Sequence, residues 1–485
     1  MEKINQFLRQ FALLACLSLY AQATWADAEI TKSGSTWQAA VDGRVVYRGS
    51  RMFDAVNAAA DTFTSGTIHI RNSGVSGSDG GNVYGMRPQP GQTLDFHNHT
   101  VTANGGDLVV PVYCDRRDDI TVRNLHVEGA PRYGVWFRGC SNVTLENITM
   151  ALNGQNPVGL GIRVDSSTRN ARNLTITGNI NIDGATGHGI ETYGIDGINI
   201  GDVTVTNNGG CGLILNDSRN AEVGNVWGER NNINGGYATF RVANDNGPNI
   251  HVKSVYSRQS GRGFFSVSRS HGTTIDYVDI DQATEQGIFL EDATNTHVLA
   301  GTVTNSINRP NCQLVRTNNS SIHVNGCNAI GQQPSYGNNS VISGTYRLTP
   351  AHSNMAVDVN NCDTANGTNL SQWAWLDNTC QHFTISPVSG MWHRISPVVS
   401  PSSAIDIEDM SNNDGANAML WNYWGGTGQL FRFKSAGTGL WRIINLHSDK
   451  CLTVADNSAQ NGANLMQSRC VANRDNQLFR LDKVQ

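Results

Sequence analysis

The sequence predicts an all-β chain: a solenoid of stacked parallel coils followed by a second β domain with a three-fold internal repeat. Three observations lead there. A strand phrase containing a glycine returns between about residues 90 and 335, and a different unit of about 45 residues returns three times from residue 343 onward. The composition favours short strands: Gly is 51 of 485 and charged residues are 15%, while Val, Ile, Thr and Asn recur in short runs joined by turn residues.

At the N-terminus, Lys3 and Arg9 precede an apolar run over residues 11–21, and small residues follow at Ala21, Ala23 and Ala26. The run is too short to cross a bilayer as a helix. Its three-part pattern is that of a cleaved secretory signal over residues 1–26, cut after Ala23 or Ala26. No later segment approaches ~20 uninterrupted apolar residues, so no membrane partner is expected. The expected location is outside the cytoplasm, extracellular or periplasmic, as a monomer.

Ten cysteines fit that compartment, where disulfides persist. Spacing suggests Cys114 with Cys140, Cys312 with Cys327, Cys362 with Cys380, and Cys451 with Cys470. Cys211 is left alone inside Gly-Cys-Gly-Leu and reads as a buried thiol. No CxxC pair or histidine cluster has zinc spacing. The formal charge of -5 carries no nucleic-acid footprint. Lysines number six, so positive groups in any site are expected to be mostly arginine.

The coil phrase reads Tyr-Gly-Val-Trp-Phe-Arg from Tyr133, Leu-Gly-Ile-Arg-Val-Asp from Leu160, His-Gly-Ile-Glu-Thr-Tyr from His188 and Cys-Gly-Leu-Ile-Leu-Asn from Cys211. It continues from Arg262 and Gln286. The glycines at 134, 161, 189 and 212 stand 27, 28 and 23 residues apart. Such a period marks a repeat architecture, and units made wholly of alternating strands mark stacked β-coils around a shared axial core. The pattern resembles the right-handed parallel β-helix proteins of the pectin-lyase superfamily, over roughly residues 40–340 within a domain of residues 27–340.

From residue 343 the texture changes. Three units close with Gln381-His-Phe383, Gln429-Leu-Phe431 and Gln477-Leu-Phe479. Each carries a Gly-x-Asn step, from Gly367, Gly415 and Gly462, and a strand such as Val-Asp-Val, Ile-Asp-Ile or Leu-Thr-Val. Over residues 343–485 this resembles the ricin-type β-trefoil, a carbohydrate-binding module. The resemblance implies an acid and an aromatic platform per lobe, here Asp358 with Trp373 and Asp406 with Trp421, with Tyr423 and Trp424 nearby. The third lobe has Thr453 and Ser468 at those places and is not expected to bind. The alternative is that the tryptophans are core; the Gln-x-Phe rings and aliphatic strands are expected to fill that role instead.

Side chains on a strand alternate between faces, so the coil register shows which residues project outward. Arg163 and Asp165, Glu191 and Tyr193, Ile214 and Asn216 with Asp217 at the strand end, and Arg241 are expected to face out. Asp165, Glu191, Asp217 and Arg241, with His188 at the rim, then form a wall able to converge on one sugar ring. Two chemistries fit it. One is β-elimination on a uronate, with Ca2+ held by Asp165, Glu191 and Asp217 and Arg241 or a neighbour taking the C5 proton, as the β-helix resemblance implies for pectate lyases. The other is hydrolysis by paired carboxylates drawn from the same acids. A non-catalytic glycan-binding shaft is a third reading, since fold alone does not fix function. The sequence favours a polysaccharide lyase, with a sugar-bound trefoil supplying local concentration on an insoluble polymer.

Overall fold

The computed structural model describes residues 25–104, 108–153, 159–327, 339–340, 342–389, 392–437, 439–472 and 474–484. The expected signal segment therefore lies outside the described residues, apart from its last two positions. The chain divides into two compact units, Met1–Thr296 with Val303–Ser320, and His297–Thr302 with Ser321–Gln485. Strand Ser321–Ile322 pairs in parallel with His297–Val298.

The first unit is the expected parallel coil. One wall is a sheet of ten strands in chain order: Tyr84–Met86, Val109–Asp115, Tyr133–Arg138, Leu160–Asp165, Ile190–Tyr193, Leu213–Asn216, Ala238–Ala243, Arg262–Ser266, Ile288–Glu291 and Cys312–Val315. Val135, Ile162, Ile190, Leu213, Phe240, Phe264 and Ile288 fall opposite one another on consecutive strands. All are fully buried, so one apolar column runs through the coils. Phe240 and Phe264 stack within it at 5.6 Å between ring centroids.

Opposite this wall, strands such as Ile120–Gly129, Val143–Leu152, Arg219–Glu229, Ile250–Arg258 and Thr273–Asp281 pair in parallel. Their corners explain the abundance of asparagine. Asn124 and Asn147 have φ of 56° and 52°, a left-handed conformation that asparagine tolerates better than most residues. Their amides then bond up the stack, Asn147 Nδ2 to Asn124 Oδ1 at 3.0 Å and Asn124 Nδ2 to Asp95 Oδ1 at 2.9 Å. The coil glycines serve close approach: a Cβ on Gly161 would stand 2.4 Å from the Gly189 carbonyl oxygen.

An antiparallel hairpin and a short helix open the unit. Trp25–Ser33 pairs antiparallel with Thr36–Val41 and parallel with Ser65–Ile70. Helix Met52–Ala60 buries Met52, Phe53 and Val56. It is short, as the composition implied.

The second unit has the three-fold pattern. Phe383, Phe431 and Phe479 are fully buried in one core with Val359, Leu370, Ile407, Leu420, Val454 and Leu465, as the Gln-x-Phe spacing required. Each glutamine closes a turn twice over. Gln381 accepts from Leu376 N and donates to Ala374 O, and Gln429 and Gln477 repeat this on Trp424 with Asn422 and on Val471 with Arg469. The Gly-x-Asn asparagines tie the lobes: Asn369 donates to Asn464 at 2.8 Å and Asn464 to Asn417 at 3.0 Å.

The disulfides Cys114–Cys140, Cys362–Cys380 and Cys451–Cys470 form as spaced, and Cys312 and Cys327 are disulfide cysteines as well. Cys211 is free and buried, and burial pushes its thiol up to about 11, so it is an inert core group.

Candidate functional site

On the outer surface of the ten-strand wall, register sets Trp136, Arg163, Glu191, Ile214, Arg241, Phe265, Phe289 and Gln313 in one row. The predicted alternation therefore holds for Arg163, Glu191, Ile214 and Arg241. What it did not reveal is how these side chains pair.

Arg163 binds both neighbouring acids. Its Nε donates to Asp165 Oδ2 at 2.9 Å, and its Nη1 makes a short bond to Glu191 Oε2. Asp165 is wholly enclosed. It also accepts from Trp136 Nε1 at 2.8 Å, from Ser167 N at 3.0 Å and from the Ser167 hydroxyl. Burial alone would raise its pKa, but the bonds from Ser167, Trp136 and Arg163 outweigh burial and hold the carboxyl below its ordinary value. Glu191 Oε1 accepts from Asn216 Nδ2 at 2.8 Å.

The expected trio of Asp165, Glu191 and Asp217 does not assemble. Asp217 lies past the strand end with φ of 46° and is exposed, lining a separate cleft with Ser166, Tyr193 and Arg219. Asn216 takes the expected place beside Glu191. The guanidinium of Arg163, rather than an open space for Ca2+, lies between the other two acids. Among the described residues, the one group of three close metal-ligand side chains is His69, Asp95 and His97 on the opposite wall. There His97 Nε2 is 2.9 Å from both His69 Nδ1 and Arg71 Nη1, while Asp95 takes Arg123 Nε at 2.8 Å. Guanidiniums on two of its members close that group on itself.

Arg241 is placed differently. Its guanidinium lies over the rings of Tyr237 and Phe265, at 4.8 and 5.0 Å. Its Nε is buried with no hydrogen-bond partner, and among the described residues it forms no ion pair. His188 meets Tyr237 edge to face at 5.4 Å. Its Nδ1 accepts from Cys211 N at 2.8 Å, which leaves the hydrogen of the neutral ring on Nε2. Burial, with Arg241 and Arg163 nearby, pushes His188 down to about 4. On the next coil Arg262 reaches Gln286 Oε1 at 3.0 Å and the Gly236 carbonyl, over the stacked rings of Phe265 and Phe289. Burial holds its pKa below the usual arginine value.

Sequence reasoning named Arg241 and His188 but passed over Tyr237, Arg262 and Trp136 as site residues. Arg262 stands before the coil glycine as His188 does, and Trp136 occupies the phrase position of Arg163, so aligning phrases would have found both. Tyr237 lies in a turn that no phrase registers.

In the second unit Trp373 and Trp421 are 40% and 38% exposed, so they are not core. Asp358 and Asp406 are buried, with Gln381 and Gln429 bonding to them, and burial raises both carboxyls above their ordinary value. Trp424 hydrogen-bonds Asp406 as well. In the third lobe the Thr453 hydroxyl accepts from Gln477 Nε2 at 3.1 Å, in the acid's place.

Residues 58–227 match the model of the right handed beta helix region, and residues 333–421 and 427–485 match that of the ricin-type beta-trefoil lectin domain-like family. The protein is thus a right-handed parallel β-helix followed by a ricin-type β-trefoil, the latter a carbohydrate-binding domain. Among solved structures, the designed three-fold symmetric protein ThreeFoil is 32% identical, covering 29% of this chain and 99% of its own, with a TM-score of 0.28. The exo-beta-1,3-galactanase 1,3Gal43A from Clostridium thermocellum is 24% identical over 33% of this chain, with a TM-score of 0.28, and the match spans 33% of its own length. The Rhizoctonia solani agglutinin is 16% identical, over 30% of this chain and 98% of its own, with a TM-score of 0.27. No curated protein matches the chain.

Proposed function

We propose that the outer face of the β-helix is the active site of a secreted polysaccharide lyase that cleaves a uronate-containing glycan by β-elimination. The observation that carries this reading is Arg241, a guanidinium held between two aromatic rings with a buried Nε left without a partner. A carboxylate supplies what that group lacks.

In this reading Arg241 pairs with the substrate carboxylate and stabilises the charge that develops there as the C5 proton leaves. The C5–H electron pair becomes the C4–C5 double bond, the C4–O bond breaks, and the departing oxygen takes a proton. Tyr237, between Arg241 and His188 and 41% exposed, is assigned both transfers: its phenolic oxygen, ionised in the reacting state, takes the C5 proton and hands it to the departing C4 oxygen. His188, neutral with Nε2–H as donor, positions it. Arginine thus takes the charge-neutralising role first assigned to Ca2+. The hydrolytic reading needs a protonated carboxylic acid, and the donors around Asp165 disfavour that state. The trefoil would hold the enzyme on its polymer.

The test is incubation with pectic, alginate and glucuronan polymers, with and without Ca2+ or chelator, following the ultraviolet absorbance of the unsaturated uronate. Rising absorbance supports elimination. New reducing ends without absorbance would move the assignment to hydrolysis, and neither signal would leave a glycan-binding shaft.

A further inference from the structure

On the opposite wall of the β-helix, register sets Thr149, Asn181, Thr204, Trp227 and Tyr256 in one outward row on consecutive coils. Trp227 and Tyr256 stack with centroids 5.5 Å apart and planes 11° from parallel, and Tyr277 continues the aromatic run at 6.2 Å from Tyr256. The first step is close to the ~4.8 Å between coils, so the ring faces look along the solenoid. Tyr256 covers one face of the indole. The other looks over Thr204, whose side chain is too short to span it, and Trp227 is accordingly 37% exposed.

The surroundings of that open face are polar and uncharged. Among the described residues, the Trp227 indole N–H, the Thr204 hydroxyl and the exposed Asn181 amide make no hydrogen bond within the protein. Two places further along the same strands, Glu229 pairs with Arg230 and Arg258 with Asp279, so those charges are already met. A protein partner would call for apolar neighbours around the ring. A flat apolar face bordered by free donors and acceptors instead matches a pyranose, which offers a C–H face and a rim of hydroxyls.

We infer that Trp227 and the step over Thr204 form a glycan-binding site on the wall opposite the proposed active site. One neutral pyranose of a polysaccharide takes the next place in the stack, on the indole, with its hydroxyls toward Thr204, Asn181 and the indole N–H. The site is independent of the uronate reading of the other wall.

The experiment is affinity electrophoresis of the full chain carrying Trp373→Ala and Trp421→Ala, which weaken the trefoil, in gels containing hydroxyethyl cellulose, xylan or galactomannan. At least one of these neutral polymers should retard it, and adding Trp227→Ala should weaken that binding by about tenfold. Thr204→Phe keeps the stack of Trp227 on Tyr256 and fills the open place with a ring of the chain's own, so it should abolish retardation while the fold and its melting temperature are retained. No retardation by any of the three polymers, or retardation undiminished by Trp227→Ala, overturns the inference. Loss in Trp227→Ala with retention in Thr204→Phe would mark a structural effect of the indole and overturns it as well. If Trp227→Ala does not fold by circular dichroism, Thr204→Phe decides alone: retardation lost supports the site, and retardation kept overturns it.

Discussion

The indole of Trp136 donates to Asp165 on the next coil at 2.8 Å, and with that bond an acid turned outward by strand alternation is drawn under cover. Asp165 then works as a structural anchor for Arg163 and the Ser167 turn. Replacing it by Asn sets an amide donor among donors and leaves Arg163 short of a partner. Asp165→Asn should lower unfolding free energy by about 3 kcal/mol, read by denaturant titration. An unchanged midpoint with lost activity would instead mark Asp165 as a reacting group.

Arg241 should show the opposite balance. No protein carboxylate is stranded by its removal, so Arg241→Gln should leave the unfolding midpoint nearly unchanged while turnover of acidic polymer falls by about 100-fold or more. Parallel losses of stability and activity would contradict an anion-receiving role.

His251 offers a pH test away from the proposed site. Its Nδ1 meets Glu222 at 2.8 Å and its Nε2 meets Asp276 at 3.0 Å. Burial opposes its charge, but the two acids win and raise its pKa to about 10. A raised folded pKa means that the stabilisation is complete below the ordinary value of about 6.5. It fades as pH climbs toward 10. Melting temperature should therefore fall from pH 6.5 to 10, and His251→Gln should flatten that slope.

His188 acts at the other end of the scale. Its pKa is depressed to about 4, so between about 6.5 and 4 the unfolded chain takes up a proton that the folded one refuses, and stability declines as pH falls. His188→Gln should remove that contribution, measured by melting curves across the same range.

In the trefoil, Trp373→Ala and Trp421→Ala should each weaken sugar binding, whereas Ser468→Ala in the third lobe should not, as followed by affinity electrophoresis. Asn464→Ala deletes both amide links between lobes and should cost about 2 kcal/mol in the trefoil's unfolding transition, with sugar contacts untouched.

The start of the β-helix bears on processing. Trp25 and Ala26 already pair with Ser65 and Gly66, so cleavage after Ala26 would remove two rungs of the ladder. Mass spectrometry of exported protein should find Thr24 as the first residue. A chain beginning at Asp27 would show that those rungs are dispensable.

The sequence by itself determined the coils, the three-fold tail, the disulfide partners and the outward row. Each of these follows from local periodicity: alternation assigns Ile162 inward and Arg163 outward whatever surrounds them. The separation of Asp217 from Glu191 and the capture of Asp165 and Glu191 by Arg163 were decided only by the tertiary structure, as was the meeting of Tyr237, Arg241 and Arg262. The coils differ in length from 23 to 28 residues between glycines, so a residue just past a strand, such as Asp217, swings away from the row that its neighbours share. Side-chain pairing across coils, and the burial that leaves Arg241 without a counter-ion, depend on distances that no single strand encodes.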